Sequence, residues 1–251
     1  MKICHVVFSS NRIDYLKRTL ESHKKLDYCN NKVDRLLVDD YPLGRNENIF
    51  FEIAKTYSID KLILNKENLG ITKNWQQLFD IVNNRDYDFI LHQEDDVELL
   101  YDLKINSLIN ILESDSKIRQ VQLKRNNWYK HETKEIKAED TDTVFENYRY
   151  EKTTDYFWMM FSLYPSWICR EPIIEKTGNY PSEHSISQHL NKEYNLHTAL
   201  LKDENGGIMI NHFGEYFQGK RCDKSESYWS KFKDIDPAKK YNSIDGKLID
   251  K

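Results

Sequence analysis

An open α/β sheet flanked by helices is the fold class that this sequence predicts, and three observations predict it. Short β-branched runs alternate with one-sided helical segments through the first part of the chain. Polar clusters close three of those runs, at Ser9 to Arg12, at Asp39-Asp40 and at Glu94 to Asp96. The 251 residues are 39% hydrophobic and 13% aromatic, enough to fill one sizeable core.

The elements follow in order. Ile3 to Ser9 is a first strand that stops in Ser9-Ser10-Asn11-Arg12. Tyr15 to Leu26 carries Leu16 and Leu20 among basic residues, the pattern of a one-faced helix. Val33 to Val38 is a second strand, closed by Asp39-Asp40 and the turn residues Pro42-Leu43-Gly44. Ile49 to Tyr57 reads as helix and Lys61 to Leu64 as a third strand. Asn68-Leu69-Gly70 opens a helix through Trp75, Leu78, Phe79 and Val82. Asp88 to Leu91 is a fourth strand, running into Gln93-Glu94-Asp95-Asp96. Right-handed crossovers place the carboxyl ends of such parallel strands along one edge, where ligands bind.

Asp102 to Leu112 is expected to be a helix and Val121 to Leu123 a strand. Asn126 to Asp155 is densely charged and long for a compact loop, so it reads as a solvated excursion or as a flap over substrate. Phe157 to Ile168 returns to the core. Glu183 to Tyr194 is a helix capped by Ser182, and Ile208 to Ile210 is a last strand before Asn211-His212-Phe213-Gly214. One domain is expected over 1–220, with a nucleotide half (1–100) and an acceptor half (101–220), followed by a polar tail over 221–251.

The charge balance, 37 Lys+Arg against 41 Asp+Glu, argues against bulk nonspecific nucleic-acid binding. Cys4, Cys29, Cys169 and Cys222 show no CxxC spacing and read as free thiols of a reducing compartment. No stretch approaches the roughly 18 apolar residues of a membrane helix. With no targeting segment visible, the expected location is cytoplasmic.

Adjacent carboxylates at the mouth of a buried strand repel one another, and nothing in the strand requires them. A hard divalent cation, Mn²⁺ or Mg²⁺, resolves that repulsion and keeps positions open for phosphate. The triplet Glu94-Asp95-Asp96 is therefore the leading site signal. Its bland reading is a solvated turn or a helix cap.

Ser9 to Arg12, Asp39-Asp40, the Asn68-Leu69-Gly70-Ile71-Thr72-Lys73-Asn74 element and the acidic triplet, taken in this order, resemble the nucleotide-sugar half of family-2-type glycosyltransferases with the GT-A fold. The resemblance covers about residues 3–100 well and 157–214 loosely. It implies a Rossmann-like open mixed sheet and a metal-dependent, inverting transfer of a sugar from a nucleoside-diphosphate donor, most naturally UDP. Ser9 and Ser10 would line the base and ribose pocket, Asp40 would accept from a base N–H, and Lys73 would contact the diphosphate. Gly70 would let the backbone approach closely. Asp95 would hold a ribose or sugar hydroxyl, and Asp96 would ligate the metal. Arg12 either meets phosphate or is solvated.

Inverting transfer needs a base to take the acceptor hydroxyl's proton. The family supplies a carboxylate near the start of a helix in the second half, usually in an acidic pair. Here Ser182-Glu183 stands at that point, so Glu183 is the expected base; a glutamate there also suits the helix dipole. Asp155, Glu171 and His184 are the fallbacks. Some metal-dependent members complete the coordination sphere with a late histidine, a role open to His212. Trp128 and Tyr129 are candidates for acceptor contacts, whereas most aromatics from Tyr148 to Trp167 read as core.

The expected acceptor is a glycan, a protein or a small molecule. A modified DNA base, as used by some viral transferases, would need a local groove around Lys124-Arg125 and Lys130. Two other classes remain open on sequence alone. A nucleotidyltransferase would normally carry a glycine-rich loop after the first strand, which Ser9 to Arg12 lacks. A non-catalytic sugar-binding module would fit the reduced base motif.

Overall fold

The computed structural model describes residues 1–125, 138–145, 148–153, 160–170, 183–203, 205, 207–213, 241–244 and 247–250. The elements run β1 (Lys2–Ser9), α1 (Ile13–Ser22), β2 (Leu26–Asp27), β3 (Lys32–Asp39), α2 (Glu47–Thr56), β4 (Lys61–Leu64) and α3 (Gly70–Asn83). They continue with β5 (Phe89–Glu94), β6 (Val97–Leu99), β7 (Leu103–Lys104), α4 (Ile105–Ser114), β8 (Ile118–Leu123), β9 (Ala138–Phe145), β10 (Tyr148–Thr153) and β11 (Phe161–Pro165). A 3-10 turn over Ser166–Arg170, α5 (Glu183–Tyr194), β12 (His197–Lys202), β13 (Ile210–His212) and the hairpin β14 (Tyr241–Ile244) and β15 (Lys247–Asp250) complete the order.

Nine strands form one mixed sheet in the order β4-β3-β1-β5-β11-β8-β12-β10-β9. The first four are parallel, β11 runs against both β5 and β8, and β12 lies parallel to β8. Strands from both halves of the chain therefore share one sheet.

Side-chain alternation along the strands sorts the core into layers. Val7 of β1 and Leu37 of β3 pack with Leu16 and Leu20 of α1 and with Phe50 and Ile53 of α2. On the same side, Ile3, Leu91 and Val121 pack against Ile105, Leu108 and Leu112 of α4. The opposite parity, Cys4, Val6, Leu36, Val38 and Ile90, packs against Trp75, Leu78 and Val82 of α3, and Leu190 of α5 joins that layer. Each such side chain contributes about 1.5–3 kcal/mol through burial.

The register brings the functional ends level. Ser9 pairs with Asp39, and Phe8 pairs with Glu94. Ser9, Asp39 and Glu94 thus lie along one edge of the sheet.

Several expectations need correction. Tyr15 to Leu26 is not one helix: α1 stops at Ser22, a 3-10 turn covers His23–Lys25, and Leu26 starts β2. The excursion expected from Asn126 to Asp155 contains β9 and β10, which extend the sheet beyond β12. Tyr150 and Thr153 of β10 are buried, and the charged residues between them hid that three-residue rhythm. β12, which no reading of the sequence foresaw, is nearly all buried. The described part of the tail forms the β14–β15 hairpin. Ser182, Asp155, Glu171, Trp128, Tyr129 and Lys130 lie outside the described residues.

Candidate active site

Asn11 has φ of 56° at the end of β1, a left-handed conformation that asparagine tolerates better than most residues. The turn is fixed by the Asn11 N–H, which donates to Asp39 Oδ1 at 2.6 Å. The other Asp39 oxygen accepts from buried Arg45 at 3.1 Å. Asp39, fully buried, is thus a structural anchor for the Ser9–Arg12 turn; burial pushes its carboxyl up despite the Asn11 and Arg45 contacts.

The turn aims Arg12 at the acidic triplet. Arg12 Nη1 donates to Asp96 Oδ2 at 2.8 Å, and Nη2 pairs with Asp95 Oδ1. Asp95 also accepts from the Ser10 N–H at 3.2 Å, while its own carbonyl accepts from Thr19 Oγ1 at 2.7 Å. Arg12 thus meets carboxylates in this structure, a third outcome beside the phosphate contact and the solvated side chain weighed from sequence. Burial raises the Asp95 carboxyl, with Arg12 opposing. Burial acts the same way on Asp96, but the Arg12 guanidinium, with the His212 ring beside it, outweighs burial and holds that carboxyl well below the usual range. Burial works against the Arg12 guanidinium, yet Asp95 and Asp96 hold it firmly protonated.

β13 pairs antiparallel with β6, setting His212 opposite Val97, one residue beyond Asp96. The Phe213 N–H donates to the Asp96 carbonyl at 3.0 Å, and the Lys124 carbonyl accepts from both Met209 and Ile210. β13 is therefore pinned between β6 and the end of β8. His212 Nε2 lies 3.6 Å from Asp96 Oδ2. Glu94, Asp96 and His212 offer ligand atoms within 4.8 Å of one another. Asp96 Oδ1 is buried without a hydrogen-bond partner among the described residues. Two converging carboxylates with one orphaned buried oxygen fit a hard divalent cation.

Asp40 holds the other flank. Its Oδ1 accepts from Leu69 N–H at 2.8 Å and from Asn65 Nδ2 at 3.0 Å, and its Oδ2 accepts from Gly70 N–H at 2.8 Å. Gly70 has φ of 71°, which explains a glycine at the entrance to α3. Asn65 also donates to Asn74 Oδ1 at 2.9 Å and accepts from Gln77 at 3.1 Å. The asparagine that ends the Asn68–Asn74 element is thereby tied to the strand side. Lys73 is exposed on α3. Ser9 Oγ is buried and has no partner among the described residues. Glu183 is the first residue of α5, but its side chain and that of His184 lie outside the described residues.

The site therefore gathers Ser9, Ser10, Arg12, Asp95, Asp96 and His212, with Asp40 and Gly70 on the α3 flank. Sequence reasoning missed Glu94 as an individual ligand, although it named the triplet. It also missed Asn65 and Gln93. Gln93 Oε1 accepts from His23 Nε2 at 2.8 Å and from His5 Nε2 at 3.2 Å, while its amide donates to the Val97 carbonyl at 3.0 Å. That buried network underlies the acidic turn from its far side. Burial pushes His23 down to about 3 and His5 well below its ordinary value, so both rings are neutral props. Arg125, one of the residues that a DNA acceptor would need in a local groove, is 3% exposed. Its guanidinium lies against Met160 Sδ and His212, so it is unavailable to a DNA backbone.

No protein-family model and no curated protein sequence matches this chain. Solved structures do. S. aureus TarS 1–349 in complex with UDP-GlcNAc aligns over 93% of this chain and 70% of its own, at 14% identity and a TM-score of 0.53. A longer S. aureus TarS structure aligns over 92% of this chain and 42% of its own, at 13% identity and a TM-score of 0.51. Mannosyltransferase PcManGT from Pyrobaculum calidifontis, in complex with GDP-Man and Mn²⁺, aligns over 76% of this chain at 12% identity and a TM-score of 0.49. This chain spans 51% of the length of that mannosyltransferase chain. The fold is the GT-A fold of nucleotide-sugar glycosyltransferases. No helix among the described residues is long and apolar enough to cross a membrane.

Proposed function

We propose that the protein is an inverting, metal-dependent glycosyltransferase that moves a sugar from a UDP-activated donor to an acceptor hydroxyl. The observation that carries this reading is the approach of the Glu94 and Asp96 carboxylates, with His212 beside them, within 4.8 Å on the ligand-binding edge of a GT-A sheet. The choice of UDP is supported by the TarS neighbour, whose structure holds UDP-GlcNAc.

The roles follow from position. Ser9, with its unpartnered hydroxyl, and Ser10 line the base and ribose pocket. Asp40 holds the Leu69–Gly70 backbone in place, and the lone pair left on its Oδ2 accepts from the base. Exposed Lys73 reaches the diphosphate. Asp95 orients a ribose or sugar hydroxyl. Glu94 and Asp96 would hold Mn²⁺ or Mg²⁺, since the buried Asp96 Oδ1 has no hydrogen-bond partner among the described residues. When bound, such a cation offsets the charge that grows on the departing diphosphate. Glu183 takes the proton from the acceptor hydroxyl as that oxygen attacks the anomeric carbon. One displacement without a covalent intermediate inverts the anomeric configuration.

A panel of UDP-sugars incubated with the protein and Mn²⁺ tests this directly, with UDP release as the readout. Release is expected for one donor and should vanish in Asp96→Ala. Undiminished release by that variant would remove the metal from the reading.

A further inference from the structure

His212 sits between two partners of opposite character. On one side Arg125 Nη1 lies 3.0 Å from Nδ1. On the other, Asp96 Oδ2 lies 3.6 Å from Nε2. Arg125 is buried, with its guanidinium also against Met160 Sδ at 3.4 Å, and its backbone bridges to Ile210 at the start of β13. Ring and guanidinium are therefore held by the same strand pairing.

An arginine side chain has donors and no acceptor. The nitrogen facing it must present a lone pair, so Nδ1 is the acceptor. A neutral imidazole then carries its hydrogen on Nε2, the nitrogen that faces the acidic triplet. A nitrogen bearing hydrogen has no lone pair to give a cation. Metal-ligating histidines normally show the reverse arrangement, the distal ring N–H donating to a carboxylate or carbonyl. Here a donor occupies that distal place.

We infer that His212 is a hydrogen-bond donor rather than a metal ligand, its tautomer set by Arg125, and that it serves an oxygen of the bound diphosphate. The diphosphate half of this inference rests on the nucleotide-sugar reading above; the tautomer does not. Nε2 lies 3.6 Å from Asp96 Oδ2, the oxygen that already accepts from Arg12. That leaves the cation to Glu94 and to Asp96 Oδ1. Arg125 is a positioning residue: it sets the hydrogen on Nε2 and touches neither cation nor donor.

Long-range ¹H–¹⁵N correlation spectra of the histidine rings in the labelled 251-residue protein read the tautomer directly. His212 should be the Nε2–H form, and Arg125→Met should shift it toward Nδ1–H. In parallel, Mn²⁺ binding without nucleotide, followed by electron paramagnetic resonance, should change less than threefold in His212→Ala. UDP binding in the presence of Mn²⁺ should weaken about tenfold or more in that variant, and His212→Gln, which restores an N–H donor, should recover most of it. An Nδ1–H ring in the wild type, or a loss of threefold or more in Mn²⁺ affinity, would overturn the inference. Wild-type protein that binds no UDP would refute the nucleotide-sugar reading and the diphosphate contact, while the ring spectra would still decide the tautomer. The wild-type spectrum also decides should His212→Ala fail to fold.

Discussion

Replacing Arg12 with methionine keeps most of its length and removes its charge, leaving Asp95 and Asp96 side by side without the guanidinium that bridges them. The side chains of Asp95 and Asp96 are 0% and 5% exposed, and that of Arg12 only 13%, so solvent screens the pairs little. Removing one partner of a buried pair costs about 3–5 kcal/mol, because the other charge is left uncompensated. The two contacts share one guanidinium and do not add, so about 3–5 kcal/mol is the whole expected effect. For a chain of this size that lowers the melting temperature by roughly 6–20 °C. Urea unfolding at pH 7.5 measures it, with midpoints compared at unchanged slope. Mn²⁺ should recover a large part of the loss, since a cation held by Glu94 and Asp96 neutralises the same cluster. A loss under about 1 kcal/mol, or no recovery by Mn²⁺, would refute the reasoning.

Three further outcomes are expected. His5 is held well below its ordinary value, and His23 and His92 are lowered to about 3, all chiefly by burial. The unfolded chain therefore binds more protons, and stability present above about pH 6.5 is lost progressively as pH falls toward 3. His23→Gln should flatten that loss by up to about 1.4 kcal/mol per pH unit between pH 6 and 4, measured by urea unfolding; an unchanged slope would count against a neutral buried ring. Asp40→Ala removes the acceptor of the Leu69 N–H and one of the two acceptors of the Gly70 N–H and of the Asn65 amide, and should cost about 1–3 kcal/mol by the same assay, mostly through buried Asn65. A neutral result would mean that water replaces the carboxylate. Glu183→Gln should leave UDP affinity within a few-fold and lower turnover by about 10²–10⁴, the usual contribution of a positioned base. Normal turnover would move the base elsewhere.

Much of this was legible because βα alternation writes itself into hydrophobic periodicity. β1, β3 and β5 are apolar runs ended by polar clusters, and the cluster positions mark the sheet edge where the site lies. What stayed hidden depends on partners far away in sequence. The bond from Arg12 to Asp96 spans 84 residues, and the contact of Arg125 with His212 spans 87; no local pattern encodes either. Asn65 and Gln93 were missed because a buried amide looks like a surface one until its partners are known. β10 escaped for a different reason. Its pairing with β9 and β12 decides its state, while its buried positions, Tyr150 and Thr153, lie three apart rather than two. Gly70 was noted for a close backbone approach, whereas its positive φ supplies the nearer reason for a glycine there.

Titrating the 251-residue protein calorimetrically with UDP, GDP, CDP and ADP, each with and without Mn²⁺, tests the nucleotide-sugar assignment most directly. Saturable, Mn²⁺-dependent binding of UDP, abolished by Asp96→Ala, is the expected result. Silence for all four diphosphates in both conditions would contradict it, and would leave a GT-A fold whose acidic edge serves some other ligand.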